Sequence, residues 1–238
     1  MFQLKLEFLT DNNILPSDYR RYIVSFFKKA TENYANGFYD NNFNKENNHM
    51  KTYTFSTYFP EALITSNNIR LKNNLFVIYF SDSNIKELMH FYNSFLMMKD
   101  KKFLIKNNSI TLKNVINIQV KDIQSNEMLI KMTSPLLARF HNDKTNKDQY
   151  LLYDNPKFQE CIKRNIKYSD VNFNLNNFSI VTLDAKKVMS HSFTPYKLPG
   201  SLGYFKLDGD KNLLNYLCLS GIGARCGEGF GKFEVVRW

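Results

Sequence analysis

Five of the nine glycines of this chain fall within eleven residues, Gly221-Ile222-Gly223-Ala224-Arg225-Cys226-Gly227-Glu228-Gly229-Phe230-Gly231. Glycine reaches positive φ and lets another group approach the backbone closely, at an entropic cost to folding. So dense a cluster serves either a very tight turn or contact with something bulky and anionic, and Arg225 adds a cation inside it. For proton transfer the chain offers four histidines, His49, His90, His141 and His191. An imidazole with its ordinary pKa near 6.5 suits either acid or base work. The acidic residues are dispersed, whereas metal-dependent chemistry draws on converging carboxylates. Cys161, Cys218 and Cys226 lie far apart and form no C-x-x-C pair, which argues against disulfides and against a thiolate zinc site. The residues thus suggest anion binding and proton transfer with no metal and no cofactor.

The charge balance agrees with an anionic partner. Thirty-two lysines and arginines against 22 acidic residues give a formal charge of +10. A basic surface is the electrostatic footprint of nucleic-acid binding. No apolar run approaches the ~18 residues of a membrane span. Residues 1–8, Met-Phe-Gln-Leu-Lys-Leu-Glu-Phe, alternate polar and apolar as a strand does, not as a signal peptide. The expected location is the cytoplasm, with no membrane partner.

The glycine cluster is not a nucleotide fingerprint. G-x-G-x-x-G counted from Gly221 needs glycine at position 226, which is Cys226, and no Gly-Lys-Ser/Thr occurs. The order of elements is also reversed. Leu213, Leu214, Leu217 and Cys218 have helical spacing before the loop, and residues 232–236 read as a strand after it. What remains is Gly-hydrophobic-Gly, five residues including a base, then Gly-hydrophobic-Gly.

The elements that must position this loop follow from periodicity. Residues 2–10 read as a strand. Pro16 suits the first turn of a helix, with Tyr19, Ile23, Phe26, Phe27, Ala30 and Tyr34 on its apolar face. Arg20, Arg21, Lys28 and Lys29 on the same helix read as a solvated face, with contact to phosphates the alternative. Strands are expected at 51–58, 69–72 and 75–80, the last two joined through a hairpin turn at Asn73-Asn74. A second helix puts Ile85, Leu88, Met89, Tyr92, Phe95 and Leu96 on one face, and 101–120 returns as strand. The second half repeats the order: strand at 128–132, a charged excursion from His141 to Asp148, and a helix opened by Asn155-Pro156. Strands at 171–184 and 187–194 and a turn-rich crossing at 195–203 follow. A last helix capped by Asp210 leads to the glycine loop and final strand. Strand, helix, strand, strand, helix, strand is the split βαβ order. The expected fold is α+β, with two tandem ferredoxin-like (βαββαβ, RRM-like) units spanning 1–123 and 124–238 and a C-terminal glycine-rich loop.

That architecture and the spacing of Gly221, Gly223, Arg225, Gly229 and Gly231 resemble the CRISPR-associated endoribonucleases of the RAMP superfamily that cut repeat RNA. Thr54-Phe55-Ser56, Thr133-Ser134-Pro135-Leu136 and the 158–168 helix resemble further segments of that family in the right order. The resemblance implies metal-independent cleavage of CRISPR precursor RNA. The ribose 2′-OH would attack the scissile phosphate, leaving a 5′-hydroxyl and a 2′,3′-cyclic phosphate. It implies His49 as general acid/base, Tyr34 or Tyr39 from the first helix region, and Lys51 with Lys45 as the competing lysine. It also implies RNA binding by the loop glycines and Arg225, with Arg139 and other basic residues of the second unit assisting. A non-catalytic RAMP subunit that binds guide RNA in an effector complex is the alternative, and a nucleotide-binding or scaffold protein a third. The partner implied is repeat RNA, with a monomer or homodimer expected.

Overall fold

The computed structural model describes the chain except residues 33, 35–37, 39–42, 44–50, 143, 169–171, 195 and 238. The first half builds a five-stranded antiparallel sheet from β1 (Phe2–Thr10), β3 (Tyr53–Tyr58), β6 (Leu75–Asp82), β7 (Lys102–Ile105) and β8 (Asn108–Gln119), ordered β3-β6-β1-β8-β7. Helices α1 (Tyr19–Glu32) and α2 (Ile85–Met98) complete a βαββαβ unit. Alternation in β1 buries Leu4, Leu6 and Phe8. Helix α1 adds Ile23, Phe26, Phe27 and Ala30, and Phe27 lies 5.1 Å from Phe55 and 5.2 Å from Phe95, ring to ring.

The second half repeats the plan with β9 (Glu127–Met132), α3 (Phe158–Lys167), β12 (Ser179–His191), β13 (Lys197–Asp208), α4 (Lys211–Ser220) and β14 (Phe233–Arg237), the sheet ordered β12-β13-β9-β14. Its own core gathers Met128, Ile130, Phe158, Ile162, Phe205, Leu207, Leu213 and Leu217. Two smaller pieces are added. They are a three-stranded sheet of β2 (Ile14–Pro16), β5 (Asn68–Arg70) and β4 (Leu63–Ile64), and the hairpin β10 (Ala138–Asn142) with β11 (Lys147–Leu151). No helix among the described residues is long and apolar enough to cross a membrane.

Several local expectations change. Pro16 closes β2 rather than opening a helix. Asn73-Asn74 joins no hairpin: β5 pairs with β2 and β4, while β6 pairs with β1 and β3. Burial of Ile69 and Leu71 draws that segment away. Residues 101–120 form the hairpin β7–β8. Helix α2 buries Leu88, Phe91, Ser94, Phe95 and Met98, leaving Ile85, Met89 and Leu96 exposed. The charged excursion is the tip of β10–β11, with His141 Nδ1 2.8 Å from Asp148 Oδ1. The two strands expected before the crossing are one, β12, and the crossing itself is β13. Gly200 reads as a turn in sequence but sits mid-strand, where an added Cβ would lie 2.8 Å from Leu137 Cδ2. Glycine there permits a close approach of backbone to side chain.

Candidate functional site at the glycine-rich loop

Helix α4 is capped as expected: the Asp210 carboxylate accepts from the Asn212 N–H at 2.8 Å. The helix ends in Gly221 at φ 82°, and Gly223, Gly229 and Gly231 follow at 90°, 85° and 69°. Arg225 itself is left-handed at 59°, before a short 3₁₀ turn at Cys226–Glu228. The loop is packed into the protein. Gly221 N donates to Leu217 O, Ile222 N to Gly231 O and Ala224 N to Leu137 O. Gly229 N donates to Cys226 O and Gly231 N to Pro135 O, all within 2.8–3.0 Å. These N–H groups, expected to meet phosphates, are already committed to protein carbonyls, and Gly221, Gly223, Gly229 and Gly231 are buried.

The loop closes the seam between the two units by running along the free edge of β3. Gly227 faces the Lys51 and Tyr53 side chains, Gly229 the Phe55 ring and Gly221 Thr54. Covering an edge strand removes a site for unwanted pairing. Thr54 Oγ1 donates to Phe230 O at 3.0 Å, and Ser81 Oγ donates to Leu219 O at 2.7 Å. Lys232, only 4% exposed, donates from Nζ to that same Ser81 Oγ at 2.7 Å. Burial lowers its pKa to about 8. Arg20, expected on a solvated face, is 8% exposed, and its Nε donates to Gly229 O at 3.2 Å.

Of the expected site residues, Lys51 lies at the loop. It is half-buried under Gly227 and borders a small cavity of about 20 Å³ with Asn165, Tyr216, Gly221 and Gly223. Burial lowers its pKa; Glu87 opposes this and Lys28 adds to it. Tyr34 is tied to α2: its hydroxyl accepts from Asn93 Nδ2 at 2.8 Å and its ring lies 5.7 Å from His90. His49, Tyr39 and Lys45 fall outside the described residues. Arg225 donates from Nε to Tyr150 OH and from a terminal nitrogen to Glu228 Oε1, both at 2.7 Å. Arg139 Nε lies 2.8 Å from Asp148 Oδ2. Burial raises the Asp148 carboxyl, but contacts from His141 and Arg139 prevail and hold it below its usual range. Arg139, His141, Lys147, Tyr150, Lys197 and Arg225 line an open cleft of about 730 Å³ between the β10–β11 hairpin and β13.

A family model described as CRISPR associated protein Cas6, C-terminal, matches residues 116–235, just over half the chain. The chain belongs to the Cas6 family. Solved structures share the Cas6 fold along the whole length. One described as a RAMP protein binding different RNA substrates aligns with a TM-score of 0.84 at 20% identity, covering 100% of both chains. The product of a Cas6-related gene from Pyrococcus furiosus aligns at 0.84 and 18% identity, over 99% of this chain and 98% of that one. A Cas6 product complex aligns at 0.72 and 12%, over 99% of each. No curated protein matches the chain in sequence.

Within this Cas6 fold, Arg20 and Thr54 bond the loop itself and Ser81 and Lys232 brace its flanks, roles that periodicity and motif did not assign. A signal for Arg20 did exist. It lies three and four residues before Ile23 and Val24 and seven before Phe27, on the helical face that α1 buries. Thr54, Ser81 and Lys232 carried no comparable signal, because their partners lie 176, 138 and 151 residues away.

Proposed function

We propose that this chain binds CRISPR precursor RNA and is a metal-independent endoribonuclease that cuts it within each repeat. The observation carrying the reading is Lys51 seated beneath Gly227 at the seam between the two units, directly after the segment that contains His49. The ribose 2′-OH attacks the adjacent phosphorus as a general base takes its proton. The bond to the departing 5′ oxygen then breaks as an acid protonates it. The products are a 2′,3′-cyclic phosphate and a 5′-hydroxyl. His49 is assigned the acid/base role, with Tyr34 or Tyr39 assisting. Lys51, or Lys45 in its place, steadies the charge that develops on the phosphorane.

In this reading the loop's four buried glycines close the seam and Gly227 makes room for Lys51, rather than cradling phosphates with their own N–H groups. Phosphate contacts come from the cleft around Arg139, Lys147 and Lys197, as position-setting cations do. The functional units are residues 1–123, bearing the catalytic candidates, and 124–238, bearing the loop.

The test is cleavage of the host's repeat RNA in EDTA by the wild type, by His49→Ala and on a substrate with 2′-deoxyribose upstream of the cut. Cyclic-phosphate ends from the wild type are expected. His49→Ala should bind without cutting, and the deoxy substrate should stay intact. Unchanged scission of the deoxy substrate would overturn the chemistry. RNA binding without cutting by the wild type would instead favour the guide-RNA-binding subunit.

A further inference from the structure

We propose that Arg20 is a receptor for one phosphate of the bound RNA strand, separate from the phosphate that is cut. The inference rests on the RNA reading above. Arg20 stands in the first turn of α1 and is more than nine-tenths buried. Its guanidinium carbon lies 4.9 Å from the centre of the Tyr19 ring and 4.6 Å from that of Phe230. Its Nε is spent on Gly229 O. No carboxylate among the described residues pairs with it. The nearest acid in sequence, Asp18, ion-pairs with Arg21 at 3.7 Å and with Lys106 at 3.3 Å. Its terminal nitrogens have no protein acceptor among the described residues, and neither is sealed from water.

A buried charge is ordinarily paired, and one left without a counter-charge is costly. Arg225, on the same loop, follows that rule through Glu228. Arg20 departs from it in a place built to receive an anion. The two rings flank the guanidinium and its terminal nitrogens keep unused donors, a fork that matches two phosphate oxygens. The helix end adds to the positive field, since the first turn of α1 holds no acidic residue. The site is also set apart from Lys51. Lys51 packs against Gly227, whereas Arg20 bonds Gly229 O two residues further along the loop. Held at different points of the loop, the two cations are assigned to different phosphates of one strand.

The experiment measures binding of a repeat RNA with 2′-deoxyribose at the cut site, as a function of salt, for wild type, Arg20→Lys and Arg20→Met. A second set of RNAs carries a neutral methylphosphonate at one position at a time. Arg20→Met should bind about tenfold more weakly, with a salt slope smaller by about one. Arg20→Lys should keep part of the affinity. In cleavage of the all-ribose RNA, the loss should fall more on the RNA concentration for half-maximal rate than on the saturated rate. One non-scissile methylphosphonate should weaken wild-type binding yet cost Arg20→Met nothing. Equal slopes and identical methylphosphonate profiles would overturn the assignment. Should Arg20→Met fail to fold, the same profile read on Arg20→Lys decides the matter. A wild type that does not bind repeat RNA sinks the underlying reading, whereas one that binds with an Arg20-independent profile sinks only this inference.

Discussion

The two ends of the glycine loop and its middle use glycine for different reasons. At the ends, Gly221, Gly223, Gly229 and Gly231 take φ between 69° and 90° and press on neighbouring groups. A Cβ on Gly231 would stand 2.1 Å from Ile222 O, and one on Gly223 would stand 2.5 Å from Leu137 O. In the middle, Gly227 lies outside the left-handed region, and its Cβ would meet Lys51 Cγ at 2.9 Å. The ends are there to close a seam, and the middle to make room for the Lys51 side chain. A glycine-rich loop is therefore not one device, and its glycines do not share one role.

Four measurements sharpen or break that contrast. The largest effect is expected at the buried end. Gly231→Ala combines backbone overlap with a strained φ and should cost on the order of 3–5 kcal/mol in urea unfolding. A variant as stable as wild type would erase the distinction.

Next comes Lys232, beside that end. Its folded pKa of about 8 lies below the unfolded value of 10.5. Between those values the unfolded chain holds the proton and the folded chain does not, so stability rises with pH across that window. The rise totals about 3 kcal/mol at most. Lys232→Met, which buries no charge, should be more stable than wild type at pH 7, with the advantage fading towards pH 10.5. A gap that does not narrow with pH would contradict this.

Thr54→Val removes the donor to Phe230 O and should cost about 1 kcal/mol. Gly227→Ala carries no φ strain and overlaps only Lys51, so its cost should be about 1 kcal/mol, well below that of Gly231→Ala. That variant should nonetheless cut repeat RNA roughly tenfold more slowly, about 1.4 kcal/mol in the barrier, because Lys51 is pushed aside. If it lost stability and kept its rate, middle and end would have exchanged roles.

Periodicity found the order of strands and helices in each unit and much of the core because burial imposes spacing. Ile23, Phe26, Phe27 and Ala30 on α1, and Phe158, Cys161, Ile162 and Ile166 on α3, are buried as their spacing requires. It failed on β12 and β13, where an exposed edge strand leaves the pattern weak and Pro199, Gly200 and Gly203 imitate a turn. It also misjudged Arg20, since a charged type suggests solvent and only the packed seam shows otherwise. Within the site, the glycine spacing was legible, whereas the competition for the loop's N–H groups was not.

By itself the sequence determined that two similar βαββαβ units follow one another, that the chain is strongly basic, and that a glycine loop precedes the last strand. These are local matters: alternation, helical spacing and backbone freedom are written in neighbouring residues. Only the tertiary structure decided what the loop touches. Its partners come from residue 20, from 51 to 55 and from 135 to 137. Contacts across such separations arise from packing one unit against the other, for which no short stretch of chain carries a signal.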